Sequence, residues 1–212
     1  MRRVTLITLI IFSLTNLSFG QTIQEIFKAL PLSYTGELTT EAKDSLIEQG
    51  TYTIPGGDSD ETMKVDYSAE KDYIRLDYYY TTGQSGFIVI ELRRFQKADG
   101  SFVVVYSKYG GAERAYDQDS LLTFDYENGT LKQNENLGLP ENLKTRAFLK
   151  DNLPDSLKEE NITLSTSYNL KPKETNGVEY EVDPQSDQFT KWIKTERILF
   201  VWNGKRFEKR KE

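Results

Sequence analysis

The stretch from Met63 to Gln133 is a succession of short segments rich in tyrosine, phenylalanine, valine and isoleucine, the residue types that favour β-strands. Short turn signals separate these segments, and they are Thr81-Thr82-Gly83, Asp99-Gly100, Gly110-Gly111 and Asn128-Gly129. Such connections are too short for the crossovers that parallel strands need. The stretch therefore predicts a twisted antiparallel sheet over about residues 51–133.

The hydrophobic pattern differs between the strands of this predicted sheet. Phe87–Ile90 and Phe102–Tyr106 are apolar at every position, whereas Tyr73–Asp77 alternates apolar and polar residues. The first pattern indicates strands covered on both faces, and the second indicates a strand with one face in water. We therefore expect helices on one face and a further layer on the other. The register of the Asp99-Gly100 hairpin stays open, since a bulge at the glycine would reverse the buried face.

Two Asn-Gly pairs are typical of hairpins with two-residue type I′ turns. The first, Asn128-Gly129, predicts that Tyr126 pairs with Leu131 and that Asp125 pairs with Lys132.

The second pair, Asn203-Gly204, lies near the end of the sequence. It predicts that Phe200 pairs with Phe207 and that Val201 pairs with Arg206. The basic cluster around this hairpin, residues 205–211, is expected to be a solvated edge, with contact to an acidic partner as the alternative.

Two short amphipathic helices are expected before the sheet. Thr22-Ile23-Gln24-Glu25 forms a capping box, and the helix that it begins ends at Pro31. A second helix is predicted over residues 41–49, with Thr40 as its N-terminal cap and Gly50 as its end. Both helices need a surface to pack on, and the sheet provides it.

Residues 134–141 are the best internal break, and a smaller lobe is expected after it. This lobe should contain a helix near residues 143–151, a strand over residues 162–168 and the closing hairpin. The predicted fold class is thus α+β: residues 21–212 form a single domain in which a twisted antiparallel sheet is packed by an N-terminal helix pair. A smaller C-terminal α+β lobe ends in the hairpin.

The first twenty residues have the layout of a secretory signal peptide. Met1-Arg2-Arg3 is basic, Val4–Leu14 is mainly apolar, and Ser18 and Gly20 are the small residues of a cleavage site before Gln21. The apolar run is too short to span a bilayer core of roughly 30 Å. Removal of this segment would change the formal charge from −6 to −8, which makes nucleic acid a poor candidate partner.

The sequence contains no cysteine and no histidine, and this excludes several classes of site. Neither serine-histidine-aspartate nor cysteine-histidine catalysis is available, and the usual zinc ligand sets and disulfides are absent. A lipoprotein anchor also needs a cysteine. The groups that remain as candidates for catalysis or ligand binding are carboxylates, tyrosines and loop oxygens.

Several short patterns together resemble a family of small exported Bacteroidota proteins classified as a domain of unknown function. The patterns are Ile23-x-x-x-Phe27-x-x-Leu30-Pro31, Leu38-Thr39, Leu46-Ile47, Asp72-Tyr73-Ile74-x-Leu76, Asp99-Gly100, Gly110-Gly111 and Asp119-Ser120-Leu121-x-x-Phe124. They cover roughly residues 22–133 and consist of packing and turn residues. The resemblance implies export and an α+β fold, and it transfers no catalytic residue. Members often have cysteines near the place of Gly110-Gly111, and this chain has none.

Two sets of residues are candidates for ligand binding. Asp58, Asp60 and Glu61 gather oxygen ligands on a loop and form a speculative calcium site, for which a solvated acidic loop is the alternative.

The second set consists of tyrosines of the predicted sheet, Tyr73, Tyr79 and Tyr109. Exposed tyrosines can stack on sugar rings or anchor a protein interface, although tyrosine also fills half-buried sheet surfaces.

These observations predict an exported, soluble, non-catalytic protein that binds a glycan or a protein partner in the cell envelope or outside it. The alternatives are an envelope hydrolase with a carboxylate pair and a structural subunit of a secreted assembly. We expect no cofactor, no catalytic residue that the sequence can name, and no membrane anchor after signal cleavage. Two acids facing one another in a deep pocket would favour the enzyme, whereas a flat or grooved aromatic surface would favour binding.

Overall fold

The computed structural model describes residues 22–54, 62–82, 85–112, 115–127, 129–140, 145–154, 164–173, 175–184 and 190–210. The predicted signal segment and the candidate calcium loop lie outside these residues. No helix in the described part of the chain is long and apolar enough to cross a membrane.

The first helix, α1, spans Ile23–Ala29 and begins with the predicted capping box. The Thr22 hydroxyl accepts a hydrogen bond from the Glu25 amide at 3.2 Å, and the Glu25 carboxylate accepts one from the Thr22 amide at 2.7 Å. The second helix, α2, spans Thr40–Gln49, and its N-terminal cap is Thr39 rather than Thr40. Its end is at the predicted glycine, Gly50, which adopts a left-handed conformation.

Seven strands form the first sheet, in which each strand pairs antiparallel with the next along the chain. They are β1 (Thr51–Ile54), β2 (Met63–Glu70), β3 (Tyr73–Tyr80), β4 (Phe87–Gln96), β5 (Phe102–Ala112), β6 (Ala115–Glu127) and β7 (Thr130–Gln133). The antiparallel prediction for this stretch is therefore confirmed.

Four strands form a second antiparallel sheet, in the order β11-β10-β9-β8. They are β8 (Leu164–Asn169), β9 (Gly177–Pro184), β10 (Arg197–Trp202) and β11 (Phe207–Lys209).

Each face of the first sheet has its own apolar core. On one face, α1 and α2 cover residues such as Ile74, Leu76 and Val104. On the other face, the second sheet covers residues such as Phe95 and Val103. The central strands are apolar at every position because they are covered on both sides.

The predicted α+β fold class is wrong, because the chain is mostly β-structure. The C-terminal part is a four-stranded antiparallel sheet that covers the second face of the first sheet, not a small α+β lobe. Where a helix was predicted near residues 143–151, the described residues contain a 3₁₀ turn at Thr145–Phe148. The end of this turn and the backbone after it pair with another segment: the Lys194 amide donates to the Phe148 carbonyl at 2.8 Å, and the Lys150 amide donates to the Trp192 carbonyl at 2.9 Å.

Gly110-Gly111 is not a turn either, since both glycines lie inside β5. The β4–β5 pairing extends up to Gln96 and Phe102, on either side of the Asp99-Gly100 turn, without a register shift. The bulge lies instead between β5 and β6, beside Lys108 and Tyr109. At this bulge the Gln118 side chain accepts a hydrogen bond from the Tyr168 amide at 2.8 Å, so the irregularity attaches the second sheet to the first.

Candidate functional site

The second sheet covers only part of the face that it packs on. Beyond its edge, β3 presents alternating half-buried residues, among them Tyr73, Arg75 and Tyr79. A polar cleft of about 400 Å³ opens where the two sheets meet. It is lined by Ser68, Glu70, Tyr73, Arg75, Glu91, Tyr109, Ser167, Tyr168, Asn169, Lys171 and Glu181.

Glu91, in the middle of β4, is the buried acid of this cleft, with a side chain only 3% exposed. Its carboxylate accepts hydrogen bonds from the Tyr73 hydroxyl, from Arg75 Nη1 at 3.4 Å and from the Leu170 amide at 3.3 Å. The first two donors belong to β3, while Leu170 follows β8 of the second sheet. Glu91 thereby joins the two sheets at the floor of the cleft.

Arg75 connects the acid to the aromatic side chains. It lies directly opposite Glu91 in the β3–β4 pairing. Its guanidinium binds both oxygens of Asp77, with distances of 2.7–3.0 Å, and donates to the Tyr109 hydroxyl at 3.3 Å. A planar guanidinium with several partners is held in one orientation, so the site is ordered before any ligand arrives.

Burial shifts the pKa values of the titratable groups in the cleft. The pKa of Glu91 is raised by desolvation, against the opposing effects of Tyr73, Arg75 and the Leu170 amide. The pKa of Tyr73 is raised by desolvation and by the neighbouring Glu91, and desolvation also raises the pKa of Tyr109. Both phenols therefore remain protonated at neutral pH. The Tyr73 hydroxyl donates to Glu91, and the Tyr109 hydroxyl accepts from Arg75.

An aromatic cluster adjoins the cleft through Tyr109. The Tyr109 ring lies 6.3 Å from Phe87 and 6.0 Å from Tyr116, measured between ring centroids, and Phe87 and Tyr116 are 5.7 Å apart. All three side chains are half-buried. We call Phe87, Tyr109 and Tyr116 the aromatic platform.

The mouth of the cleft is polar. Lys171 forms an ion pair with Glu70 and lies over the Tyr73 ring, 5.5 Å from its centroid. Asn169 accepts a hydrogen bond from the Lys171 backbone amide at 2.9 Å, and its side-chain amide donates to Glu181 at 3.4 Å. The mouth thus offers carboxylate, amide and ammonium groups to a ligand.

The structure brings together two of the three predicted tyrosines. Tyr73 and Tyr109 line the same cleft, whereas Tyr79 lies further along β3 and donates to Asp66 at 2.9 Å. Asp58, Asp60 and Glu61 lie outside the described residues. Within those residues, no cluster of three or more acidic, histidine or cysteine side chains is arranged to hold a metal ion.

Sequence reasoning missed Arg75 and Glu91, which organise the cleft. A signal for Glu91 was present, because it is the only charged residue in the run from Phe87 to Leu92. A charge in a strand that is otherwise apolar on both faces must be paired or hydrogen-bonded when it is buried. The sequence did not show which residues would provide those bonds.

Comparisons with known proteins find similarity at the level of the fold. No family model matches the chain, and neither does any curated protein. A solved structure, that of a domain of an uncharacterized protein from Porphyromonas gingivalis W83, is similar with a TM-score of 0.61 and 13% identity. The match covers 90% of this chain and 98% of that domain. The chain therefore has a structural neighbour in a Bacteroidota species, and at this identity the likeness concerns the fold alone.

Proposed function

We propose that this protein binds a glycan in the cleft and on the aromatic platform, without catalysing a reaction on it. The observation that carries the proposal is the double role of Tyr109. Its hydroxyl accepts a hydrogen bond from Arg75 in the cleft, and its ring contacts Phe87 and Tyr116. Polar groups and aromatic rings are thus continuous over one surface.

A saccharide suits this surface because a sugar ring has hydroxyl groups at its edge and C–H groups on its faces. The cleft provides carboxylate, amide and phenol groups for the hydroxyls, and the platform provides rings for the C–H faces. A large exposed apolar patch would instead indicate a protein partner. Among the described residues, Leu32 is the large hydrophobic side chain that is exposed, and it does not line the cleft.

The carboxylate hydrolase is the second candidate, favoured by one observation. Glu91, with its raised pKa, lines the same cleft as Glu70 and Glu181, and a raised pKa is what a general acid requires. Binding is the better supported function, because the Glu91 oxygens are already occupied by Tyr73, Arg75 and Leu170. The protonated state of Tyr73 also argues against a tyrosine nucleophile.

Export and family membership are further parts of the proposal. The signal-peptide layout of residues 1–20 supports export, and the Bacteroidota resemblance and the Bacteroidota structural neighbour support a common lineage. The protein would then act in the periplasm or outside the cell. N-terminal sequencing of protein from a fractionated native host should find a mature chain that begins at Gln21. A full-length chain in the cytoplasm would contradict export.

The binding proposal is tested with a glycan array of neutral oligosaccharides, followed by titration calorimetry of the best ligand. Tyr109→Ala should weaken binding by about tenfold or more, the usual scale for loss of an aromatic anchor at the centre of a site. Tyr109→Phe should have a smaller effect, since it keeps the ring. Tyr80→Ala is the matched control, because Tyr80 is a half-buried tyrosine on the opposite face of β3.

Three results would decide against the proposal. The first is an array without ligands, and the second is an equal loss of affinity for Tyr80→Ala and Tyr109→Ala. The third is release of sugar products by the wild-type protein that stops in Glu91→Gln, which would favour the hydrolase.

A further inference from the structure

A second depression, of about 710 Å³, lies on the second sheet, between β10, β11 and the residues around the 3₁₀ turn. Ala147 and Leu199 form part of its apolar floor. Among the described residues that line it, the charged ones are Lys194, Arg197, Lys209 and Arg210, and none is acidic. We call these four side chains the basic rim.

The basic rim is assembled from distant parts of the sequence. Two backbone hydrogen bonds fix its sides: the Lys194 amide donates to Phe148 at 2.8 Å, and the Arg210 amide donates to Leu199 at 2.8 Å. Lys209 and Arg210 belong to the C-terminal basic cluster that the sequence predicted to be a solvated edge. The fold places Lys194 and Arg197 around the same depression. The two terminal residues are therefore part of a larger basic surface and not only of a solvated edge.

The charges of the basic rim are poorly balanced within the chain. Arg197 has an acidic partner, Glu179, at 3.7 Å. In the described part of the chain, no ion pair joins Lys194, Lys209 or Arg210 to an acidic side chain. Four cations around one depression repel one another, and the chain as a whole has a formal charge of −6. An anionic ligand would remove this repulsion.

We propose that the depression binds the acidic groups of a charged polysaccharide, such as a chain of uronic acids. Its volume is larger than a single oxyanion needs, and its apolar floor fits the C–H face of a sugar. A smaller depression lies between this one and the cleft. It shares Arg197 and Leu199 with the larger depression, and Asn169 and Glu181 with the cleft.

This arrangement suits a linear polymer that extends from the cleft to the basic rim. Glu179 and Glu181 lie in the middle of the path, so acidic groups are repelled there and held at the basic rim. The choice of a polysaccharide over other anions rests on the proposed function, whereas the presence of an anion site does not.

The experiment compares the full chain with two double variants that have the same change in charge. Lys194→Glu with Lys209→Glu alters the basic rim. Lys71→Glu with Lys205→Glu is the control, since both of these lysines are exposed and neither lines the depression. Calorimetry with an oligogalacturonate at low salt should show a loss of about tenfold or more for the rim variant and less than about threefold for the control.

Parallel titrations identify the source of the anion and separate this inference from the proposed function. The inference is overturned if both double variants lose affinity equally, or if the wild-type protein does not bind oligogalacturonate. It is also overturned if inorganic phosphate, anionic phospholipid vesicles or single-stranded DNA bind the basic rim more tightly than oligogalacturonate does. A neutral oligosaccharide should bind Tyr109→Ala more weakly than the wild-type protein and should bind the rim variant as tightly as the wild-type protein. The two proposals can therefore be contradicted independently of each other.

Discussion

At the scale of single residues, Glu91 is the side chain that couples the candidate site to the stability of the fold. It is almost completely buried, and three hydrogen bonds from two sheets hold it. Burying an acid opposes its ionisation, while hydrogen-bond donors favour the charged form. Burial has the larger effect, so the pKa of Glu91 in the folded protein lies above its ordinary value of 4.5.

This raised pKa predicts how stability changes with pH. Above pH 4.5 the unfolded chain releases the Glu91 proton, while the folded chain keeps it until the higher folded pKa is reached. The contribution of Glu91 to the free energy of unfolding is therefore full at low pH and is lost as the pH rises through the folded pKa. Glu91→Gln does not titrate. Urea unfolding at a series of pH values should show the variant gaining stability relative to the wild-type protein as the pH rises from 4 to 8.

Glu70→Gln is the control for this measurement, since Glu70 lies at the mouth of the cleft with a side chain 60% exposed. Like Glu91→Gln, it changes the formal charge of the chain by one unit, so it controls for the loss of a carboxylate. A Glu91→Gln variant that loses relative stability as the pH rises would show that the pKa of Glu91 is lowered in the folded state.

The residues of the site show what the sequence could predict. Tyr73 and Tyr109 could be predicted from the sequence, because tyrosines on a sheet with one open face are natural binding candidates. Arg75 and Glu91 could not, because their contact depends on the register of β3 against β4, which sets them directly opposite each other. No two-residue turn joins these strands, so local sequence does not determine that register.

At the scale of elements, the two Asn-Gly hairpins also show that local sequence does not always determine strand register. The hairpin at Gly129 has the predicted register, with Tyr126 opposite Leu131. The hairpin at Asn203-Gly204 does not, because Trp202 pairs with Phe207 and the loop has four residues. In that loop the Asn203 side chain accepts hydrogen bonds from two backbone amides, at 2.9 and 3.0 Å. This asparagine turn replaces the type I′ turn, and the dipeptide alone does not distinguish them.

The helical prediction near residues 143–151 failed for a related reason. Backbone hydrogen bonding among the described residues of this segment is limited to a short 3₁₀ turn, and the Phe148 carbonyl and the Lys150 amide pair instead with Lys194 and Trp192. Partners so distant in sequence are invisible to a local pattern. By contrast, α1 was predictable because its capping box is entirely local.

Gly110 lies inside β5, where the sequence indicated a turn, and close packing explains why this strand position is a glycine. A Cβ atom at Gly110 would lie 2.5 Å from the Phe87 carbonyl oxygen. Gly110→Ala should therefore push β4 away, lower the free energy of unfolding by about 2–3 kcal/mol and weaken glycan binding through displacement of Phe87. Chemical denaturation and calorimetry measure the two effects.

Gly100→Ala is the comparison, since Gly100 has a positive φ of 89° but a Cβ atom there would meet no heavy atom within 4 Å. It should cost about 1 kcal/mol through backbone strain alone and leave glycan binding unchanged. Equal costs at the two positions would contradict a steric role for Gly110.

At the scale of the whole molecule, apolar and polar contacts connect the two sheets. They share a buried core, and polar bonds add to it at the edges. Arg93 of the first sheet donates to the carbonyls of Leu170 and Gly177 at 2.6 and 3.0 Å, and the Trp202 indole donates to Gln96 at 2.7 Å. The predicted break at residues 134–141 therefore lies between two layers of one core, and neither layer can bury its apolar face alone.

This architecture predicts a single cooperative unfolding transition, and the chain contains suitable probes. Its two tryptophans, Trp192 and Trp202, both lie in the C-terminal part, so their fluorescence reports on the second sheet. Far-UV circular dichroism is dominated by the larger first sheet. The two signals should change at the same urea concentration. Arg93→Met removes hydrogen bonds between the sheets. It should lower the free energy of unfolding by about 1–3 kcal/mol, and both signals should then change at the same, lower urea concentration. Fluorescence that changes at lower urea than circular dichroism would instead show that the second sheet unfolds independently, and the cleft between the sheets would then open before the first sheet unfolds.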